Sequence, residues 1–247
     1  ANQRPSKVVY DRANSSIGTA DLADFDWDKI FDGVDWFHFT GITPAISKQA
    51  AKICKAAAKK ANEKGITVSC DLNYRKNLWT KEEAKATMSE LMPFVNVCIA
   101  NEEDAADVFG ITASGTDVTG GSINHDGYID VAKQLTAKFG FKHVAITLRE
   151  SVSANHNDWS AMLYDGKDAY FSKKYEIKNI VDRVGGGDSF GAGLIYGMLS
   201  DLGCQGALEF AVAASCLKHS VEGDFNMVSV AEVNALAGGN ASGRVQR

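Results

Sequence analysis

The chain has 247 residues, of which 45% are hydrophobic and 23% charged, a composition typical of a soluble globular protein with one sizeable core. Its net charge of -5, with no basic run, argues against a nucleic-acid-binding surface. No apolar run reaches the roughly 18 residues that a membrane-spanning helix needs, so no membrane contact is predicted.

The cysteines are dispersed along the chain and odd in number, which is typical of free thiols rather than of a disulfide framework. No CxxC or HxxxH spacing indicates a zinc site. We therefore expect buried free thiols and a reducing, cytoplasmic location. The five cysteines are Cys54, Cys70, Cys98, Cys204 and Cys216.

The first part of the chain alternates strand and helix patterns, which predicts βαβ units around a mostly parallel sheet. Gly65 and Gly110 are helix stop signals, and Thr80 with Glu83 has the spacing of a capping box. Strands are predicted at 7–12, 34–41, 66–73, 95–101 and 142–148. Helices are predicted at 44–64, 80–92, 102–110 and 127–140, with a polar loop at 110–127.

The alternation ends after residue 150. Asp165-Gly166 lies between two alternating runs within residues 158–177 and predicts a β-hairpin. Two successive helices follow at 188–202 and 205–221, with no strand pattern between them.

Unusual polar residues follow several of the predicted strands. In an open α/β sheet, ligands bind beyond the carboxyl ends of the strands, so residues placed there are candidates for a binding site. These candidates are Asn73, Arg75, Asn101, Thr147 and Arg149.

The segment VDRVGGGDSFGAG places three glycines before Asp188 and a helix. It lacks the lysine of a Walker A loop. A dinucleotide-binding fingerprint fits loosely through Gly185, Gly187 and Gly191, although that loop should open a βαβ unit. A Gly-Asp-Ser hydrolase would need a downstream Asp-x-x-His, and the pattern DWFH at 35–38 lies upstream. A plain structural role, with Asp188 as helix N-cap, stays open.

A further interpretation takes the glycine turn as an anion site. Backbone N–H groups at a helix N-terminus bind anions, and a carboxylate beside them can accept a proton from an incoming hydroxyl. The N–H groups would then stabilise the charge on a transferring phosphoryl group. A base next to an anion hole predicts a small-molecule kinase.

DRVGGGDSFGAG also resembles the C-terminal signature of the ribokinase/PfkB family of sugar kinases, D-T-x-G-A-G-D. Gly186 stands where the family usually has Ala and keeps the backbone donors, and Arg183 stands where it often has Thr. The resemblance covers nearly the whole chain. The matching residues are Asp182, Gly185, Gly187 and Asp188.

The resemblance implies a ribokinase-like three-layer α/β/α fold with a mostly parallel sheet and part of a small β lid. Residues 1–20 would be the remnant of the lid, with a sugar-contacting strand, and residues 21–247 the core with the ATP site. Family members usually begin with further residues that complete the lid and the first strands, so we expect the sequence to be a fragment. By analogy, a partner subunit would cover the half-lid, which makes a homo-oligomer one expectation.

The resemblance also implies catalytic and cofactor roles, with ATP and Mg²⁺ as the cofactors. Asp188 would be the general base, and Gly185, Gly186 and Gly187 would form the anion hole. ANEED at 100–104 resembles the family's N-x-x-E element near magnesium, with Asp104 in the fourth place and Glu103 as the alternative acid. The residues implied to bind ATP are Asn101, Thr147, Arg149, Gly185, Gly187, Ala214 and Lys218.

Among the members of the family, the likeness is strongest to kinases of 2-keto-3-deoxygluconate. Two arginines suit a substrate carboxylate, because guanidinium binds carboxylate in a bidentate fork. Tyr10 and Arg12, two residues apart, would share one face of a strand. The residues implied to contact the sugar acid are Tyr10, Arg12, Ile42, Arg75, Asp188 and Asp224.

The predicted function is therefore ATP-dependent phosphorylation of 2-keto-3-deoxygluconate to its 6-phospho form. One alternative keeps the fold and changes the substrate to a neutral sugar such as fructose or ribose. More distant alternatives are a non-catalytic sugar-acid-binding protein and an NAD-binding oxidoreductase.

Overall fold

The computed structural model describes residues 9–101, 103–113 and 125–239. These residues fall into two compact units. The N-terminal unit contains residues 9–101, 103–113, 125–146 and 164–168, and the C-terminal unit contains 147–163 and 169–239. The division after residue 20 that the resemblance implies stays a prediction.

The strands of the N-terminal unit follow the order β1-β2-β3-β4, and β1–β2 and β2–β3 are parallel pairs. β1 pairs with β2 with Phe39 opposite Cys70, and β2 pairs with β3 with Cys70 opposite Cys98. The mostly parallel sheet predicted from the alternation is confirmed by these pairings. The strands are β1 (Trp36–Thr40), β2 (Thr67–Asp71), β3 (Val97–Asn101) and the first residues of β4 (His143–Ser153).

Most helices of this unit contain buried residues, whereas the short helices at Ser16–Thr19 and Trp27–Ile30 contain none. Thr80 and Glu83 form the predicted capping box of α5, and Gly110 ends α6 in the left-handed conformation. The helices are α1 (Ser16–Thr19), α2 (Trp27–Ile30), α3 (Ile42–Ile46), α4 (Lys48–Glu63), α5 (Lys81–Leu91), α6 (Asp104–Phe109) and α7 (His125–Phe139). Two 3-10 turns, Leu22–Asp24 and Met92–Phe94, complete it.

In the C-terminal unit β4 continues, and β5 and β6 follow it in the strand order. The strands are β5 (His156–Tyr164), β6 (Ala169–Phe171) and β7 (Tyr175–Lys178). β7 pairs with β5, with Asn157 opposite Ile177. The predicted turn at Asp165-Gly166 is confirmed, because the Asp165 carboxylate accepts the N–H groups of Lys167 and Asp168.

Three helices follow: α8 (Gly186–Leu199), α9 (Gly203–Lys218) and α10 (Val230–Ala237). α8 and α9 pack at very close range. A Cβ added at Gly197 would lie 2.5 Å from the Cα of Ala207, and one at Gly193 would lie 2.8 Å from the Cα of Ala211. Glycines within α8 are therefore required by the contact with α9.

Three local predictions were wrong, and one helix was not predicted. Residues 9–12 form no strand, because no strand among the described residues pairs with them; residues 7 and 8 lie outside the described residues. The helix predicted at 44–64 is broken at Ser47, whose extended backbone separates α3 from α4 and whose hydroxyl accepts the Ala50 N–H. β4 runs on to Ser153, so Thr147 and Arg149 lie within a strand. α10, capped by Ser229, had no predicted counterpart.

None of the five cysteines forms a disulfide, as predicted, but only three of them have the predicted burial. Cys54, Cys70 and Cys98 are buried, whereas Cys204 and Cys216 are half-buried. Burial raises the pKa of Cys54 to about 12 and that of Cys216 to about 11. Among the described helices, none has the length and apolar composition needed to cross a lipid bilayer.

Candidate functional site

The glycine turn of the C-terminal unit approaches a neighbouring loop so closely at Gly185 that only glycine fits there. Gly185 has φ +78° and directly precedes α8. A Cβ at Gly185 would lie 2.2 Å from the carbonyl oxygen of Asp224, and one at Gly186 would lie 3.0 Å from Cε1 of His219. At Gly186, where the family signature usually has Ala, the His219 ring leaves little room for a Cβ, which explains the glycine at this position.

Two backbone donors at the start of α8 are available for an anion. The Gly186 N–H donates to the carbonyl of Arg183 at 3.1 Å, and the Ser189 N–H donates to the carbonyl of Gly185 at 2.8 Å. Within the described part of the chain, the N–H groups of Gly187 and Asp188 make no hydrogen bond, and both residues are exposed. Unpaired first-turn amides are the donors that bind anions at helix N-termini.

Asp188 lies on the first turn of α8 beside these amides. The N-cap is Gly185, and no side chain caps the helix, so the N-cap role considered for Asp188 is wrong. Its carboxylate is exposed and has no hydrogen-bond donor among the residues that the structure describes. An exposed carboxylate next to two free amides can accept a proton from a ligand hydroxyl.

Asp182 joins the glycine turn to the loop that carries Asp224. One carboxylate oxygen accepts the Val184 N–H at 3.0 Å, and the other accepts the Gly223 N–H at 2.9 Å. These two hydrogen bonds lower the pKa of Asp182. Asp224 itself is exposed.

The remaining residues predicted to bind ATP in this unit differ in accessibility. Arg149 is exposed, whereas Thr147 is 9% exposed and Ala214 is 4% exposed. Lys218 is completely buried, and its ammonium donates to the carbonyl of Val221 at 2.9 Å. Its position therefore does not favour direct contact with a nucleotide.

His219 lies under the glycine turn, with its ring next to Gly186. Its Nδ1 lies 2.7 Å from the carbonyl of Ser215 and must donate to it. Burial lowers the pKa of His219, so the ring is neutral in the folded protein near pH 7. The hydroxyl of Ser215 donates to the carbonyl of Gly186 at 2.7 Å, which fixes the same turn from α9.

Asn101 and Asp104 hold the turn between β3 and α6 in the N-terminal unit. The side-chain oxygen of Asn101 accepts the N–H groups of Glu103 and Asp104 at 2.8 and 2.9 Å. Asp104 is 3% exposed and accepts the N–H groups of Asn101 and Tyr74 at 3.0 and 3.2 Å. Burial raises the pKa of Asp104. Glu103 is exposed, and Glu102 lies outside the described residues.

Thr40 organises the ends of β1 and β2, a role that the sequence did not reveal. Its hydroxyl accepts the side-chain amide of Asn73 at 3.0 Å and the N–H of Ile42 at 3.4 Å. Asn73 has φ +42°, which turns the chain sharply after β2. Arg75 follows, half-buried, with one guanidinium nitrogen donating to the carbonyl of Tyr74 at 3.0 Å.

Tyr10 and Arg12 lie on the same side of the segment 9–12, although this segment is not a strand. Both are half-buried, whereas their neighbours Val9 and Asp11 are exposed. The Arg12 guanidinium lies over the Tyr10 ring, 5.1 Å from its centroid. The shared face that the two-residue spacing predicts is therefore present without the predicted strand.

The described residues contain no group of three or more His, Cys, Asp or Glu side chains that could hold a metal ion. Magnesium in phosphoryl-transfer sites keeps several waters and uses one or two carboxylates together with phosphate oxygens. Glu103 fits that limited requirement, because it is exposed at the start of α6. Asp104 fits it poorly, because its two oxygens already accept backbone N–H groups.

A model of the pfkB family of carbohydrate kinases matches residues 1–230. The chain is 29% identical over 239 residues to a 2-dehydro-3-deoxygalactonokinase of Haloferax volcanii, covering 96% of this chain and 68% of that protein. It is 27% identical over 220 residues to a 2-dehydro-3-deoxygluconokinase of Bacillus subtilis, covering 89% of this chain and 61% of that protein.

Among solved structures, a 2-dehydro-3-deoxygluconokinase of Thermotoga maritima is similar with a TM-score of 0.90 and 54% sequence identity. The match covers 97% of this chain and 70% of that one. The predicted ribokinase-like α/β fold is confirmed by this agreement.

Proposed function

The chain belongs to the pfkB family of carbohydrate kinases, and from this premise we propose that it transfers the γ-phosphoryl group of ATP to 2-keto-3-deoxygluconate. This sugar acid is the substrate named for the Bacillus subtilis and Thermotoga maritima relatives, under its synonym 2-dehydro-3-deoxygluconate. The product is the 6-phospho form. We place the reaction in the cytoplasm, where free thiols are stable.

One observation carries the proposal: the exposed carboxylate of Asp188 lies beside the unpaired N–H groups of Gly187 and Asp188. Asp188 accepts the proton of the attacking hydroxyl, because a carboxylate within reach of the hydroxyl can act as general base. The two amides stabilise negative charge as the phosphoryl group moves between oxygens. Catalysis of phosphoryl transfer depends mainly on such positioning and charge stabilisation.

The substrate carboxylate is bound by Arg12 and Arg75. Arg75 donates one N–H to the Tyr74 carbonyl, and its guanidinium has further donors for a carboxylate. Tyr10 supports Arg12 by stacking beneath the guanidinium. Two cations suit a sugar acid, whereas a neutral hexose has no charge for them to pair with.

Glu103 is the residue we propose to hold Mg²⁺, directly or through water. The ion would neutralise charge on the phosphates of ATP. Asn101 and Asp104 hold the backbone from which Glu103 projects, since both bind amides of the turn.

A second candidate substrate is 2-keto-3-deoxygalactonate, the C4 epimer, because the Haloferax volcanii relative is named for it. Both sugar acids carry the same carboxylate, so the arginines cannot discriminate between them. The proposal is tested by measuring ADP release with each of four compounds: the two sugar acids, fructose and ribose. We expect one of the sugar acids to give the highest kcat/KM. The proposal is contradicted if a neutral sugar is the best substrate, or if none of the four compounds causes ADP release. A titration with NAD tests the oxidoreductase alternative separately.

A further inference from the structure

Lys218 is a charged residue in a completely buried position at the end of α9. Its ammonium donates to the carbonyl of Val221 at 2.9 Å. Burial of an ammonium group costs several kcal/mol unless hydrogen bonds and an opposite charge compensate it. Asp182 is the nearby carboxylate: its pKa is lowered mainly by its two backbone hydrogen bonds and also by the positive charge of Lys218.

Lys218 and Asp182 bind the same stretch of backbone, the His219–Asp224 loop (residues 219–224). The His219 carbonyl accepts the N–H of Val181 at 2.9 Å, at the beginning of the loop. Lys218 binds the Val221 carbonyl, and Asp182 binds the Gly223 N–H. The backbone of this loop is therefore fastened at three successive points.

The end of the His219–Asp224 loop is in direct contact with the glycine turn. The carbonyl oxygen of Asp224 would lie 2.2 Å from a Cβ at Gly185, so it occupies the space that any side chain there would need. Asp182 also accepts the Val184 N–H, which fixes the chain just before Gly185. A shift of the loop therefore shifts the turn that begins α8.

We propose that Lys218 is a positioning residue for phosphoryl transfer: together with Asp182, it holds the His219–Asp224 loop against Gly185 and so fixes the direction of the Gly187 and Asp188 amides. This inference deepens the proposed kinase function and rests on it. Lys218 touches neither substrate; it acts through the loop and the turn. Displacing catalytic groups by about 1 Å can cost roughly 100-fold in rate, so a distant anchor can control turnover.

Lys218→Met tests the proposal, because methionine keeps much of the length of lysine and removes the charge. We expect kcat to fall by about 10- to 100-fold, with little change in KM for ATP or the sugar acid. Hydrogen exchange should become faster in peptides covering residues 181–189 and 219–226, and remain unchanged elsewhere. Lys178→Met is the matched control, because Lys178 is exposed on β7 and pairs with Glu176; it should change neither readout.

A rise in KM for ATP with unchanged kcat would overturn the proposal and place Lys218 in contact with the nucleotide. Unchanged kcat together with unchanged exchange would overturn it too, and leave Lys218 as a space-filling residue. Should Lys218→Met not fold, Asp182→Asn is the second variant, because Asp182 is only half-buried. It should reproduce the lower kcat and the faster exchange, and wild-type values for both would overturn the proposal.

The exchange readout separates this inference from the proposed function. A wild-type protein that phosphorylates none of the sugars tested would contradict the kinase proposal. Faster exchange in the glycine turn of Lys218→Met would still show that Lys218 holds the turn in place. If the wild type is active and Lys218→Met has both normal exchange and unchanged kcat, the inference about Lys218 is wrong, whereas the kinase proposal stands.

Discussion

The Asp104 carboxylate accepts the backbone N–H of Tyr74 at 3.2 Å and thereby ties two loops of the N-terminal unit together. One loop follows β2 and carries Arg75, and the other begins after Asn101, the last residue of β3, and carries Glu103. The sequence resemblance put Asp104 in the place of a magnesium-associated Glu. The buried geometry gives it a structural contact that does not require a metal.

Asp104→Asn is expected to lower the free energy of unfolding by about 1–3 kcal/mol. The asparagine oxygen can accept one of the two N–H groups, but its NH₂ faces the other and leaves that buried donor unsatisfied. The midpoint of urea unfolding measures this loss. Asp107→Asn, at an exposed ion pair with Lys81, is the control and should change the midpoint far less. Equal midpoints for Asp104→Asn and the wild type would show that the hydrogen bonds of the Asp104 carboxylate do not stabilise the two loops.

Gly185→Ala should be much more destabilising than Gly187→Ala. Alanine at Gly185 would need φ +78° and would meet the Asp224 carbonyl oxygen, whereas a Cβ at Gly187 meets nothing within 4 Å. The cost of the left-handed backbone and of the clash is roughly 2–5 kcal/mol together. Chemical unfolding of the two variants side by side tests this. Similar stabilities would mean that the turn tolerates a side chain and that Asp224 does not press on it.

His219 should make the protein less stable as the pH falls. Burial lowers its folded-state pKa below the ordinary value of about 6.5. Between the folded-state pKa and 6.5, the unfolded chain binds more protons, so stability is complete above pH 6.5 and is lost as pH decreases through this window. Thermal unfolding from pH 7.5 to 5 measures the slope.

His219→Asn should flatten that slope, because asparagine does not titrate and still offers a donor near the Ser215 carbonyl. Some slope should remain in the variant, since burial also lowers the pKa of His143. An identical slope in wild type and variant would show that His219 does not contribute.

Local sequence signals were sufficient to predict those features of the structure that depend only on neighbouring residues. The capping box at Thr80 and Glu83, the turn at Asp165-Gly166 and the glycine stop at Gly110 each depend on a few adjacent residues. The strand predicted at 7–12 failed over its described residues for the opposite reason. An alternating pattern forms a strand only when another strand pairs with it.

The direction of a buried polar side chain was not predictable, because it depends on contacts distant in sequence. Lys218 was expected to contact ATP, and its burial against Val221 depends on how α9 ends beneath the glycine turn. The role of Thr40 could not be predicted from the sequence, because its hydroxyl accepts the amide of Asn73, a residue distant in the chain. The family signature correctly predicted that Asp188 lies on the first turn of a helix, because the glycines directly before it determine where that helix begins.

Asp188→Asn should retain binding of ATP and the sugar acid while losing turnover. Asparagine keeps the size of the side chain but cannot accept the hydroxyl proton, and removal of a general base typically costs about 10²–10⁴-fold in rate. Single-turnover kinetics together with calorimetric binding separate the two effects. Asp168→Asn, at an exposed position in the hairpin turn, should keep full activity. Substantial activity in Asp188→Asn would remove the base from the mechanism.

Arg75→Met should weaken the use of sugar acids specifically. A charge-assisted hydrogen bond contributes about 1.5–3 kcal/mol, which corresponds to roughly a 10- to 100-fold change in affinity. We therefore expect KM for 2-keto-3-deoxygluconate to rise by about that factor, while KM for ATP stays near the wild-type value. Methionine preserves the aliphatic stem beside Tyr74, so the loop should stay folded. If activity on sugar acids and on neutral sugars declines equally, Arg75 supports the loop and does not recognise the carboxylate.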